Sequence, residues 1–252
     1  MRFGGSLLRG TLLRRYKRFL ADVLLDDGET VTAHCPNPGS MLSVNQPDSE
    51  VWLSRAEKTN RALAYCWELI RVGNSLVGIN TCRPNSLVSE ALAQGRIPQL
   101  SGYMSVRREV RYGRNSRIDL LLDSPDRPTC LVEVKNVTLK RGFGYLTPVE
   151  FPDAITVRGA KHLNELAEAA KRGDRAVMLY VAQRPDANRL AFASDLDPEY
   201  TRGVRAAASA GVESWCYSCH VDVDEVRLEQ EIPVELPATV PERSSNRERC
   251  KR

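Results

Sequence analysis

The residues most able to do chemistry are Asp119, Glu133 and Lys135. Asp119 interrupts the apolar, strand-like run Arg117-Ile118-Asp119-Leu120-Leu121-Leu122. Glu133 and Lys135 lie in Leu131-Val132-Glu133-Val134-Lys135-Asn136. Side chains alternate faces along a strand, so Glu133 and Lys135 share one face, and Val132 and Val134 share the other. The intervening Ser124-Pro125-Asp126-Arg127-Pro128 is turn-rich and predicts a hairpin that brings Asp119 beside Glu133. Carboxylates and a lysine inside a sheet are costly to bury uncompensated. A divalent cation compensates them, since carboxylate oxygens, a backbone carbonyl and water are typical Mg2+ ligands. Asp119 and Glu133 would then hold the metal together with the Val134 carbonyl. Lys135 would position a water or neutralise charge at a phosphodiester in its transition state. Glu90, on the helix that opens this part of the chain, would add a further catalytic carboxylate. A structural ion-pair cluster, with Glu90 as a solvated helix carboxylate, suits the same residue types, and that alternative stays open.

The elements needed to position these groups are legible in outline. Tyr16 to Leu25 reads as one strand, followed by an Asp26-Asp27-Gly28 turn and a strand from Glu29 to Cys35. Val51 to Ser54, Ala62 to Arg71 and Leu76 to Ile79 are further strands. Five or so short strands in the first ~80 residues suggest a small barrel. A helix capped by Asn85 or Ser86 then runs through Glu90 to Gly95. Strands from Arg107 to Tyr112, Arg117 to Leu122 and Cys130 to Val137 follow. Gly159 to Lys171 and Pro198 to Ala210 are helices, alternating with apolar strands at Ala176 to Val181 and Val212 to Tyr217. Strands followed by helix, strand, helix and strand make an α/β domain with a mixed sheet.

The net charge is only +4, so its distribution says more than its sum. Arg2, Arg9, Arg14, Arg15, Lys17 and Arg18 precede the first acidic residue, Asp22. Arg107, Arg108, Arg111, Arg114 and Arg117 crowd the approach to Asp119, and the segment after Pro241 is again basic. Such clusters suit a phosphate backbone. Arg158, Lys161 and His162 at a helix start suit phosphate contact as well. Tyr16, Phe19, Tyr65 and Trp67 are candidates for base stacking on the barrel. No run approaches the ~20 apolar residues of a membrane helix, so no membrane partner is expected. The seven scattered cysteines, without an export signal, read as reduced thiols of a cytoplasmic protein. Cys216-Tyr217-Ser218-Cys219-His220 matches the c-type haem attachment string but falls in a strand, so no haem is expected. A zinc site including Cys250 is likewise set aside.

Longer strings resemble a known family. Arg15-Tyr16-Lys17-Arg18-Phe19-Leu20-Ala21-Asp22-Val23 and His34-Cys35-Pro36-Asn37-Pro38-Gly39-Ser40-Met41 are similar to the sugar fermentation stimulation protein (SfsA) family. So are Val132-Glu133-Val134-Lys135-Asn136-Val137-Thr138-Leu139, Phe151-Pro152-Asp153-Ala154 and Arg158-Gly159-Ala160-Lys161-His162-Leu163. Pro38 and Ala160 depart from the pattern, where threonine and glutamine are usual. The resemblance implies an OB-fold nucleic-acid-binding domain over 1–82 and a PD-(D/E)XK nuclease-like α/β domain over 83–237, with a disordered basic tail over 238–252. Asp119, Glu133 and Lys135 map onto that motif. It also implies non-specific binding to the DNA backbone, with RNA a second possible partner. A Mg2+- or Mn2+-dependent nuclease site is one outcome. The alternative is a DNA-binding regulator of sugar (maltose) metabolism genes with a vestigial site.

Overall fold

The computed structural model describes residues 1–56, 63–112, 116–144 and 146–237. Ala62, Arg114, Cys250 and the basic tail lie outside the described residues. The first sheet contains β1 (Leu8–Tyr16), β2 (Leu20–Leu25), β3 (Thr30–His34), β4 (Glu50–Arg55), β5 (Tyr65–Val72) and β6 (Ser75–Gly78), in the order β3-β2-β1-β4-β5-β6. Parallel pairing of β3 with β5, Ala33 opposite Tyr65, closes it into a barrel. Five strands form the closed ring and β6 extends it, the arrangement of an OB domain. Alternate positions such as Leu12, Val23, Val31, Leu53 and Trp67 fill the interior.

Tyr16 to Leu25 is not one strand: Tyr16 ends β1, and the chain turns back into β2 to make a hairpin with it. Lys17 and Arg18 make its turn at φ 47° and 65°, a left-handed conformation uncommon in such residues. With no Gly, Asn, Asp or Pro there, no turn signal marked it. Gly10 is required nearby, because a Cβ there would lie 2.6 Å from the Leu24 carbonyl oxygen.

The second unit contains α1 (Pro84–Ala93), β7 (Ser105–Tyr112), β8 (Ser116–Ser124), β9 (Arg127–Val137), β10 (Val149–Phe151), α2 (Val157–Lys171), β11 (Arg175–Ala182), β12 (Leu190–Phe192), α3 (Pro198–Ser209), β13 (Glu213–Val221) and β14 (Val226–Ile232). Its six-stranded sheet runs β14-β13-β11-β9-β8-β7. β9, β11 and β13 are parallel neighbours, and the outer pairings are antiparallel. This is the mixed sheet expected. α1 covers one face, where Leu87 and Val88 pack with Val132, Val134 and Leu179. α2 and α3 cover the other, where Leu163, Leu166, Tyr200 and Val204 meet Leu131, Met178 and Tyr180. Burying each such side chain stabilises the fold by roughly 1.5–3 kcal/mol. β14 escaped the sequence reading because its alternation is diluted by charge: Val226, Leu228 and Ile232 are buried while Glu229, Gln230 and Glu231 face out. Cys216 and Cys219 lie buried in β13, with their thiol pKa values pushed up by burial. No helix among the described residues is long and apolar enough to cross a membrane.

The barrel and the second unit are joined by specific polar contacts. The Gly78 N–H donates to the Gln183 carbonyl at 2.7 Å. The Asp153 carboxylate accepts the Met41 N–H at 2.9 Å, and a Cβ on Gly39 would lie 2.4 Å from it. Met41 is almost wholly buried, so Asp153→Ala strands its N–H without an acceptor. Loss of about 1–3 kcal/mol of unfolding free energy is the expected result, read by denaturant titration.

Candidate active site

β8 and β9 pair antiparallel, with Leu120 opposite Val132, and this register places Asp119 beside Glu133. One Asp119 oxygen accepts the Val134 N–H at 2.7 Å, and the other accepts the Asn85 side-chain amide at 2.8 Å. Glu133, only 3% exposed, accepts the Lys135 ammonium at 2.7 Å. The same carboxylate oxygen meets Nδ1 of His162, which reaches in from α2. Arg158 Nε stands 3.3 Å from His162 Nε2 and can only donate to it. His162 thus sits between Glu133 and Arg158, with the Lys135 ammonium 3.2 Å from its Nδ1.

The two carboxyls differ electrostatically. Burial, and then the Glu133 charge, raise the Asp119 pKa above the ordinary value, and the Val134 and Asn85 donors offset only part of this. Burial also pushes Glu133 upward, but His162 and Lys135 together outweigh it and hold the carboxyl below its usual range. The site thus contains one compensated carboxylate and one that is not.

Two participants were not read from the sequence. Asn85 was taken as a helix cap, but α1 begins at Pro84 after Arg83, which frees the Asn85 amide for Asp119. The same amide donates to Glu109 at 3.2 Å. Glu109 sits in β7 at φ 52°, a left-handed kink in the strand opposite Asp119. The acid within Arg107-Arg108-Glu109-Val110-Arg111 was the available signal, although no periodicity reveals a positive φ.

The other expected residues divide. Arg117 lines a small crevice beside Glu133, His162 and Glu165. His162 lies buried against Glu133, so it faces the carboxylates instead of an exposed phosphate position. Glu90 is not brought to Asp119: its carboxylate binds the Met1 ammonium at 2.8 Å and the Gln94 amide. Glu90 lies five residues after Asn85 on α1, which at 3.6 residues per turn turns it to a different face. Arg15 spends its guanidinium on the carbonyls of Asn37 and Gly39, at 2.9 and 3.0 Å, so it braces a loop. Arg14 pairs with Asp22 at 2.8 Å and lies over Tyr16. Lys161 is half exposed and 3.6 Å from Glu165. Lys17 and Arg18 are exposed at the hairpin turn. Of the aromatic candidates, Trp67 is core and Phe19 is 44% exposed.

The fold and site define a two-domain protein, an OB barrel followed by a mixed-sheet α/β domain bearing a carboxylate–lysine cluster. Family models agree with this division: residues 13–79 match the SfsA N-terminal OB domain, and residues 82–225 match the sugar fermentation stimulation protein RE domain. The chain belongs to the sugar fermentation stimulation protein family. A homolog of that name from Rhodospirillum rubrum is 54% identical, over 88% of this chain and 94% of its own length. One from Paramagnetospirillum magneticum is 51% identical, over 94% of this chain and 98% of its own. The structure of Pyrococcus furiosus SfsA in complex with Ca2+ superposes with a TM-score of 0.83, at 24% identity, covering 93% of this chain and 98% of that one. At that identity the match speaks for the fold.

Proposed function

We propose that the protein binds DNA through its backbone, with little sequence preference, and hydrolyses phosphodiesters at a divalent-metal site on Asp119 and Glu133. The carrying observation is the juxtaposition of two carboxylates, half-buried Asp119 and buried Glu133, on paired strands with the Lys135 ammonium 2.7 Å from Glu133. Such a donor set fits a hard dication such as Mg2+ or Mn2+. Ca2+ in the Pyrococcus furiosus relative is an ion of the same kind.

Asp119 and Glu133 would hold the ion, with the Val134 carbonyl as a third ligand and Glu109 as a further carboxylate. When bound, the ion supplies Lewis-acid polarisation of the phosphodiester and a lowered pKa for water. Lys135 sets an ammonium beside Glu133, where it stabilises charge gathering on the phosphate oxygens. His162 fixes the Glu133 carboxylate by a donated hydrogen bond, and Arg158 fixes the ring. Arg117, Arg158 and Lys161 would grip neighbouring phosphates, and Lys17 would extend the contact onto the barrel.

The test is cleavage of labelled single-stranded DNA, double-stranded DNA and RNA of one sequence, with Mg2+, with Mn2+ and with chelator. Cleavage of DNA that requires the metal is expected. Cleavage of RNA alone would move the substrate class, and salt-sensitive DNA binding without any cleavage would leave a binding protein. Glu109→Gln is expected to weaken Mn2+ binding in a calorimetric titration while leaving the melting temperature nearly unchanged, since Glu109 is exposed.

A further inference from the structure

A cleft of about 360 Å³ lies between the barrel and the second sheet. Arg18, Asn37 and Thr81 line it from one side, and Asn136 and Arg158 from the other. Its two acids are already committed. Glu150 is held by the Arg141 guanidinium at 2.6 and 2.8 Å, and Asp153 by the Met41 N–H. Its cations are not so committed. Arg18 has no carboxylate partner among the described residues, and the left-handed turn at φ 65° places it on the cleft wall. Arg158 gives only its Nε to His162. The positive end of α2, a 15-residue helix, opens into the same space through Thr156, Val157 and Arg158.

Apolar groups line the cleft beside these cations. Ile155 and Val157, also on the cleft, are 76% and 80% exposed. Apolar surface beside an anion site matches a nucleotide, with its phosphate on the cations and its base or sugar on the aliphatic groups. The volume decides how much can enter. It lies at the low end of small-ligand pockets, roughly 300–1,000 Å³. That admits about one nucleotide, and a base within a duplex cannot enter without leaving its partner. The cleft touches the carboxylate cluster through Arg158, which holds the ring that holds Glu133.

We infer that this cleft receives one unpaired nucleotide of a DNA strand, its phosphate between Arg18 and Arg158, so that the preferred substrate carries a single-stranded stretch or overhang. This deepens the nuclease reading and rests on it for the cleavage step, while binding in the cleft stands separately.

Fluorescence anisotropy with chelator present measures binding without cleavage. The probes are a labelled single-stranded oligonucleotide and a blunt duplex of the same sequence. Arg18→Asn is the first variant, because asparagine tolerates a positive φ. It is expected to weaken single-strand binding about tenfold, the worth of one charge-assisted phosphate contact, and to leave the blunt duplex nearly unaffected. Ile155→Asp, at an exposed position where folding is not at stake, is expected to give the same selective loss. Equal weakening on both probes would make Arg18 a general surface cation, and no weakening by either variant would empty the cleft of this role. Either result overturns the inference. Selective binding loss in a protein that never cleaves DNA would overturn the nuclease reading alone.

Discussion

Lys135→Ala is expected to lower the single-turnover rate of the proposed DNA cleavage by about 10²–10³-fold, the cost of removing one preorganised donor from a transition-state charge. The Lys135 ammonium lies 2.7 Å from Glu133 and 3.2 Å from His162 Nδ1, and its side chain is only 15% exposed. A charge held in partly buried surroundings acts more strongly than the solvated arginines around it. DNA affinity is expected to change little, because the proposed backbone binding rests on exposed cations and not on Lys135. Arginine is not expected to rescue, since a planar, branched guanidinium does not fit a site shaped around a slender ammonium. The pH profile separates this role from simple bracing. Lys135 is among the groups that hold the Glu133 pKa low. Its removal lets that pKa rise, so the acid limb of the rate profile moves to higher pH. A residue serving only to brace the sheet would lower stability and leave that limb in place.

Asp119→Asn is expected to raise the stability of the metal-free protein while abolishing cleavage. The Asp119 pKa is raised in the folded state by burial and by Glu133. Its ionised form therefore destabilises the fold at neutral pH, and the penalty disappears as pH falls through the folded-state pKa toward the ordinary carboxylate range. Asparagine removes the charge and keeps an oxygen for the Val134 N–H, and Asn85 can turn its own amide oxygen toward the new amide. The melting temperature should rise by about 2–4 °C for each kcal/mol recovered in a chain of this size. This advantage over wild type should vanish near pH 4, the ordinary carboxylate range. With Mn2+ held at Asp119 as proposed, added Mn2+ should raise the melting temperature of wild type and should leave Asp119→Asn where it was. A variant less stable than wild type at neutral pH would show Asp119 to be a structural anchor.

The strands that carry Asp119, Glu133 and Lys135 were legible because their signal is local. An acid inside an apolar run, and Glu133 and Lys135 two residues apart, need only the alternation of a strand to share a site. The barrel, the mixed sheet and the α2 and α3 helices were legible for the same reason, periodicity over several turns or strands. What escaped reading depends on contacts distant in sequence. His162 lies 29 residues from Glu133, and its burial against that carboxylate follows from α2 packing across β9. Asn85 looked like a cap because capping is the local use of asparagine, while its actual partner Asp119 is 34 residues away. Glu90 looked catalytic by residue type, yet its angular position on α1 turns it to the N-terminus. Glu109 and Arg18 are placed by left-handed backbone that residue type does not announce.

Cleavage of a labelled oligonucleotide with a single-stranded overhang, by wild type and by Glu133→Gln at matched DNA occupancy, tests the carboxylate cluster most directly. A metal-dependent nuclease centre predicts cleavage by wild type that requires Mg2+ or Mn2+, stops with chelator, and is lost in Glu133→Gln although that variant still binds DNA. Cleavage by Glu133→Gln at the wild-type rate, or by wild type in the presence of chelator, would contradict it.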